Sequence, residues 1–140
     1  MTTITETQQP NGVITIPSAF SVAESIDNLE REVHKKQMNI FARINHSAGA
    51  QKIGSELRPT ELLIFGSPQG GTPLMECTQV IGLDLPLKAL AWEDENGSVW
   101  LSFNDLTYLA ERHQISDCPN LDKLNNVMKT LIQTAAGRAT

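Results

Sequence analysis

Basic charge is in short supply: 11 Lys and Arg face 16 Asp and Glu, leaving a net charge of −5. A nucleic-acid binder needs a basic footprint to displace counterions from phosphates, so that class is set aside. No apolar run approaches the roughly 18 residues that a membrane span requires. The stretch Met1 to Gly12 is polar, with neither a basic start nor an apolar segment, and reads as a tail rather than a signal peptide. These features lead to the expectation of a cytosolic chain with no nucleic-acid or membrane partner. Cysteine is limited to Cys77 and Cys118, far apart and in unlike surroundings, and in a cytosolic chain the pair reads as two separate thiols. Familiar catalytic motifs are missing as well: no HExxH, no CxxC and no Ser-His-Asp order.

What is present is ordinary for one globular domain. The chain has 140 residues, 40% hydrophobic and 19% charged, enough to build a core over 13–140 without disulfides or metal. Val13 to Pro17 alternates apolar and polar residues and reads as a strand. Ser21 and Glu24 form a capping box ahead of a helix with Val22, Ile26, Leu29 and Val33 on one stripe. Asp27, Glu30, Arg31 and Lys35 form its solvated side. A second strand runs from Ile40 to His46, a short turn or helix from Ser47 to Gly54, and an apolar strand from Glu61 to Phe65. A single helix is expected over Thr72–Val80, with Pro73 in its first turn. The last third is helical, with Asn104 capping one helix that ends near His113. A second carries Leu121, Leu124, Met128, Leu131 and Ala135 and stops at Gly137.

Between these lies a hairpin, Leu87 to Asp94 and Ser98 to Phe103. Registered on a two-residue Asn96-Gly97 turn, it puts Leu90, Trp92, Val99, Leu101 and Phe103 on a core face. Ala89, Ala91, Glu93, Trp100 and Ser102 then occupy the other. The element order predicts an α+β domain, a largely antiparallel sheet with helices packed on one face. The uncovered face, small and aromatic at Ala89, Ala91, Trp100 and Ser102, suits a symmetric homodimer.

Four segments together resemble a known family. They are Asn45-His46-Ser47 with Ala50, Leu63 to Pro68 with Gly71 to Met75, Gly82 to Lys88, and Trp92-Glu93-Asp94 with Gly97, Val99 and Trp100. The combination is similar to the bacterial and archaeal family known as domain of unknown function 302, from about Phe20 to Gly137. The resemblance implies a TBP-like β-α-β4-α fold and a homodimer, and no established reaction. Ser67 stands where that family more usually has Asn, and Phe103 where it often has Tyr.

Several residues are candidates for a site. His46, at a strand end, is a candidate acid–base. Gly66, Ser67 and Thr72 flank a glycine-rich loop that leads to a helix N-terminus but lacks the lysine of a phosphate loop. Asp84, inside an apolar tetrad, needs a partner such as Lys88. His113 suits a helix end, where a cation is stabilised. Met75 and Cys77, two apart on a helix, do not face each other as metal ligands would. The leading expectation is a small-ligand-binding or accessory module with its pocket among loops 46–50, 66–73 and 82–88, without metal or cofactor. An enzyme using His46 with Asp84 or Lys88 is the alternative, and a purely structural assembly protein the third.

Overall fold

The computed structural model describes residues 7–8 and 11–138. Six strands form one antiparallel sheet in the order β1-β2-β6-β5-β4-β3. They are β1 (Thr7–Gln8), β2 (Val13–Pro17), β3 (Asn39–Asn45), β4 (Thr60–Gly66), β5 (Leu87–Glu93) and β6 (Val99–Asn104). The helices are α1 (Val22–Lys35), α2 (His46–Lys52), α3 (Pro68–Cys77), α4 (Leu106–Arg112) and α5 (Leu121–Ala135), with a 3-10 helix over Gln79–Asp84. The α+β class is as the sequence predicts. Part of the polar tail joins the sheet, because Thr7 and Gln8 pair with Thr15 and Ile14; residues 1–6 and 9–10 lie outside the described residues.

One face of the sheet carries the core. Helix α1 starts at the expected box, Glu24 N donating to Ser21 Oγ at 3.1 Å and Ser21 N to Glu24 Oε1 at 3.2 Å. Its stripe Val22, Ile26, Leu29 and Val33 is buried against the sheet and α5. From the strands, Ile14, Ile16, Leu63, Phe65, Leu101 and Phe103 meet it. The polar side of α1 is more than solvated. Arg43 on β3 donates to Asp27 at 2.7 Å, Glu30 at 3.1 Å and Glu61 at 2.8 Å, tying α1 to the sheet. Burial works against the Arg43 charge, but bonds to Asp27, Glu61 and Glu30 outweigh it and hold the guanidinium above the usual arginine range.

The hairpin differs from the sequence reading by one residue. Glu93 pairs with Val99 and Trp92 with Trp100, so the connection spans Asp94–Ser98. The Asp94 side chain accepts from Asn96 N and Ser98 N, each at 2.9 Å, and closes the turn with Gly97 at φ 81°. A one-residue slip exchanges faces. Ala89 and Ala91, 1% and 0% exposed, therefore sit in the core under the helices and not on the open face. Leu90 and Trp92 take their place beside Trp100 and Ser102.

Strand β3 carries a bulge between Ile40 and Ala42. Ile40 opposes core-facing Phe65 while Ala42 and Ile44 oppose Ile64 and Leu62 on the other face, so strict alternation from Ile40 to His46 fails. Helix α3 begins at Pro68, four residues before the expected Thr72, and the chain re-forms as the 3-10 helix after Thr78. Asp105, not Asn104, caps α4, accepting from Thr107 N at 3.0 Å. Cys77 and Cys118 are joined in a disulfide with a Cα–Cα distance of 6.2 Å, which corrects the reading of two separate thiols. Folding back of the intervening chain, invisible in the local sequence, brings them together.

Candidate functional site

Beyond the sheet's core, the start of β3 and the end of β4 meet the N-terminal half of α3. Gly66 opposes Asn39 where the two strands end, and Ser67 then turns the chain into α3. Gly70 lets α3 approach α5 closely: a Cβ there would lie 3.1 Å from Leu124 Cδ1. The 3-10 helix returns past Gly82, and a cis Leu85–Pro86 peptide leads into β5.

These segments enclose a cavity of about 380 Å³. Met38, Phe41, Met75, Leu85, Leu87 and Leu124 supply its apolar walls, and Asn39, Ser67 and Thr72 its polar edge. The bulge at Phe41 accompanies a side chain that is 56% exposed at the cavity margin. Among the described residues no cationic or carboxylate side chain lines this space. Its volume falls within the range of small-molecule pockets, and two methionines give it an adaptable wall.

Of the residues singled out from sequence, Gly66, Ser67 and Thr72 line the cavity. Asp84 and Lys88 lie beside it with their charges turned elsewhere. The Asp84 carboxylate accepts from His113 Nε2 at 2.6 Å and from Arg112 at 3.1 and 3.2 Å, fastening the 3-10 helix to the end of α4. Lys88 Nζ donates to the carbonyls of Pro86 at 2.8 Å and Asp84 at 3.2 Å. Burial draws the Lys88 ammonium below the ordinary lysine value, with the Asp84 charge pulling partly back. His113 therefore closes α4 as expected but is held by Asp84, a pairing 29 residues apart that the local sequence does not signal.

His46 is not part of this arrangement. It is exposed in the first turn of α2, at the Asn45 end of β3, whereas the cavity lies at the Asn39 end. The six intervening steps put them roughly 20 Å apart. The expected pocket at 46–50 and the pairing of His46 with Asp84 or Lys88 are thus corrected. Sequence reasoning also missed Met38, Asn39, Phe41 and Leu124, whereas Leu85 falls within the expected 82–88 loop. Leu124 belongs to a legible apolar stripe, but nothing in the local pattern marks where that stripe meets α3. Among the described residues no three His, Cys, Asp or Glu side chains are placed to hold a metal ion, and no helix is long and apolar enough to cross a membrane.

Comparison with known proteins adds three findings. The fluoride-specific ion channel FluC 1 of Brucella suis is 50% identical over 105 residues, which are 75% of this chain and 41% of that protein. FluC 1 of Brucella abortus shares 50% over 105 residues, 75% of this chain and 39% of its own length. The chain thus spans about two fifths of these relatives. The crystal structure of an uncharacterized conserved DUF302 protein from Bacillus stearothermophilus has a TM-score of 0.73 at 17% identity. It covers 92% of this chain and 98% of that one, a likeness of fold. A sequence profile for the domain of unknown function DUF302 matches residues 14–132, from β2 into α5, and on that match this chain belongs to the DUF302 family.

Proposed function

We propose that this chain is a cytosolic, homodimeric accessory domain that binds a small, mainly apolar molecule in the cavity beside α3. The observation that carries the reading is the cavity itself, about 380 Å³, with mainly apolar walls and, among the described residues, polar side chains only at Asn39, Ser67 and Thr72. Such a site takes its affinity from apolar burial and its orientation from a few polar contacts. A ligand with an aliphatic or aromatic body and one hydroxyl, amide or carboxyl group matches that distribution.

The partial likeness to channel proteins favours an accessory role beside an ion channel, because in those relatives a segment 50% identical to this chain belongs to a longer protein with a transport name. Fluoride is a poor match for the cavity: a small hard anion needs cations or dense N–H donors, and among the described residues the lining supplies no cationic side chain.

Titration with 1-anilinonaphthalene-8-sulfonate, a fluorescent probe with an apolar aromatic body and one anionic group, tests the reading. Wild-type protein should bind one equivalent saturably. Gly71→Leu should lose that binding with its circular dichroism unchanged, since a Cβ at Gly71 already lies 3.6 Å from Leu85 Cδ1 and 3.7 Å from Met75 Cε and the longer side chain fills the space. Added fluoride should leave the titration unchanged. Probe binding that survives Gly71→Leu sinks the cavity as the site, and competition by fluoride transfers the reading to anion binding.

A further inference from the structure

The cavity wall formed by α3 is fastened less by its own sequence than by a covalent link. We propose that the Cys77–Cys118 disulfide is a redox clasp: oxidised, it holds α3 against the connection between α4 and α5, and reduced by a dithiol, it frees α3 and loosens the cavity. The inference rests on the cavity reading above.

Helix α3 reads Pro68-Gln69-Gly70-Gly71-Thr72-Pro73-Leu74-Met75-Glu76-Cys77, with two glycines and an interior proline, the residues of lowest helix propensity. Its cap residue Ser67 makes no side-chain capping bond, and of its 10 residues only Leu74 is buried. The 3-10 helix that follows buries only Ile81 and exposes Val80 and Leu83 by 65% and 75%. Two ties hold this segment to the neighbourhood of α4: the Asp84 contacts with Arg112 and His113, and the disulfide. The segment between them supplies Gly82 to the cavity, and α3 before it supplies Pro68, Gly70, Gly71, Thr72 and Met75. Segments with few buried contacts open at the low end of a protein's stability range, so removing one tie acts locally.

The two cysteines are unequally exposed. Cys77 is exposed, whereas Cys118 is 7% exposed. A thiolate of a small or protein dithiol attacks Cys77 Sγ; the Cys77–Cys118 bond breaks and Cys118 leaves as a thiolate that takes up a proton. The reductant's second thiol, losing its proton, attacks its own sulfur in the mixed disulfide, expelling the Cys77 thiolate, which is protonated. Two electrons pass to the cysteine pair, and the reductant departs as its disulfide. A disulfide of the same class reverses the cycle. In a reducing cytosol disulfides of this kind are characteristically transient and redox-sensing.

Hydrogen exchange of the full chain, oxidised and after dithiothreitol, tests the clasp, with thiol counts on the denatured samples and the anilinonaphthalene titration alongside. Reduction should raise the thiol count from none to two per chain. It should speed exchange over residues 68–84 by roughly tenfold or more while α1 and β4 keep their protection. Probe affinity should fall by a factor of roughly ten as the ordered wall is lost. The double variant Cys77→Ser/Cys118→Ser should exchange like the reduced protein; should it fail to fold, reduced wild type with unchanged circular dichroism serves in its place. Unchanged exchange over 68–84, exchange rising throughout the sheet, or two free thiols in protein purified under air would each overturn the clasp. Faster exchange over 68–84 with no probe bound by either form would support the clasp and sink the cavity reading.

Discussion

A single carboxylate sets which way half of the hairpin faces. Asp94 Oδ1 accepts from Asn96 N and Ser98 N, and Oδ2 accepts from Trp100 Nε1 at 2.9 Å. The Trp100 indole above all, with the Ser98 and Asn96 amides, holds the Asp94 carboxyl below its usual range. A depressed folded pKa contributes stability that is present above the ordinary aspartate value and lost as pH falls through the lower folded one. Asp94→Asn should therefore melt below wild type at neutral pH, and the two melting curves should converge as pH falls through and below the ordinary aspartate range. A gap independent of pH would remove the charge from the explanation. Trp100 emission should change over the same interval. This residue also explains the sequence misreading. Asn96-Gly97 signals a two-residue turn, but Asp94 captures two amides at once and draws the loop out to Ser98, and that bonding is visible only in three dimensions. Asp27 and Glu30 looked merely solvated for a similar reason, their partner Arg43 lying on another element.

Elements with a repeating apolar pattern and a cap were legible from sequence, and elements held by tertiary context were not. Helix α1 has a capping box and a four-residue stripe, and α5 has Leu121, Leu124, Met128, Leu131 and Ala135, all buried. Helix α3 has neither; Gly70 and Gly71 read as a loop, and Pro68 at the first helical position was hidden by them. The bulge in β3 is equally silent, yet it accompanies Phe41 at the cavity, so half of the site depends on features with no local signature. The weakness of α3 is measurable. At Gly71 an added Cβ would meet only Leu85 and Met75 at ordinary contact distance. Gly71→Ala should raise stability by about 0.5–1 kcal/mol, read as a higher denaturant midpoint at unchanged slope. A drop instead would mean that the glycine is needed for close packing there, as it is at Gly70.

At the scale of the molecule the second face of the sheet is the feature that the fold leaves uncovered. Helices cover one side, while Ile44, Leu62, Ile64, Leu90, Trp92 and Trp100 lie on the other, with the two indoles stacked at 6.3 Å. Antiparallel sheets that face water on one side normally alternate to polar residues there; this face is apolar across four strands. Sequence reasoning anticipated such a face and its tryptophan, but assigned it Ala89 and Ala91 because a two-residue Asn96-Gly97 turn sets β5 one residue out of its actual register with β6. Two copies related by a twofold axis would bury the face against itself, sheet on sheet at about 10 Å. Leu90 is suited to a test because it pairs with Ser102 at the middle of that face and takes no part in the Asp94 turn. In sedimentation velocity the wild-type chain should run as a dimer and Leu90→Lys as a monomer, with circular dichroism and probe binding preserved, since the cavity lies outside this face. A dimer that survives the lysine would place the contact elsewhere on the molecule. Wild type that stays monomeric as its concentration is raised would leave the indole pair facing solvent or another protein, and would end the case for assembly as what this face does.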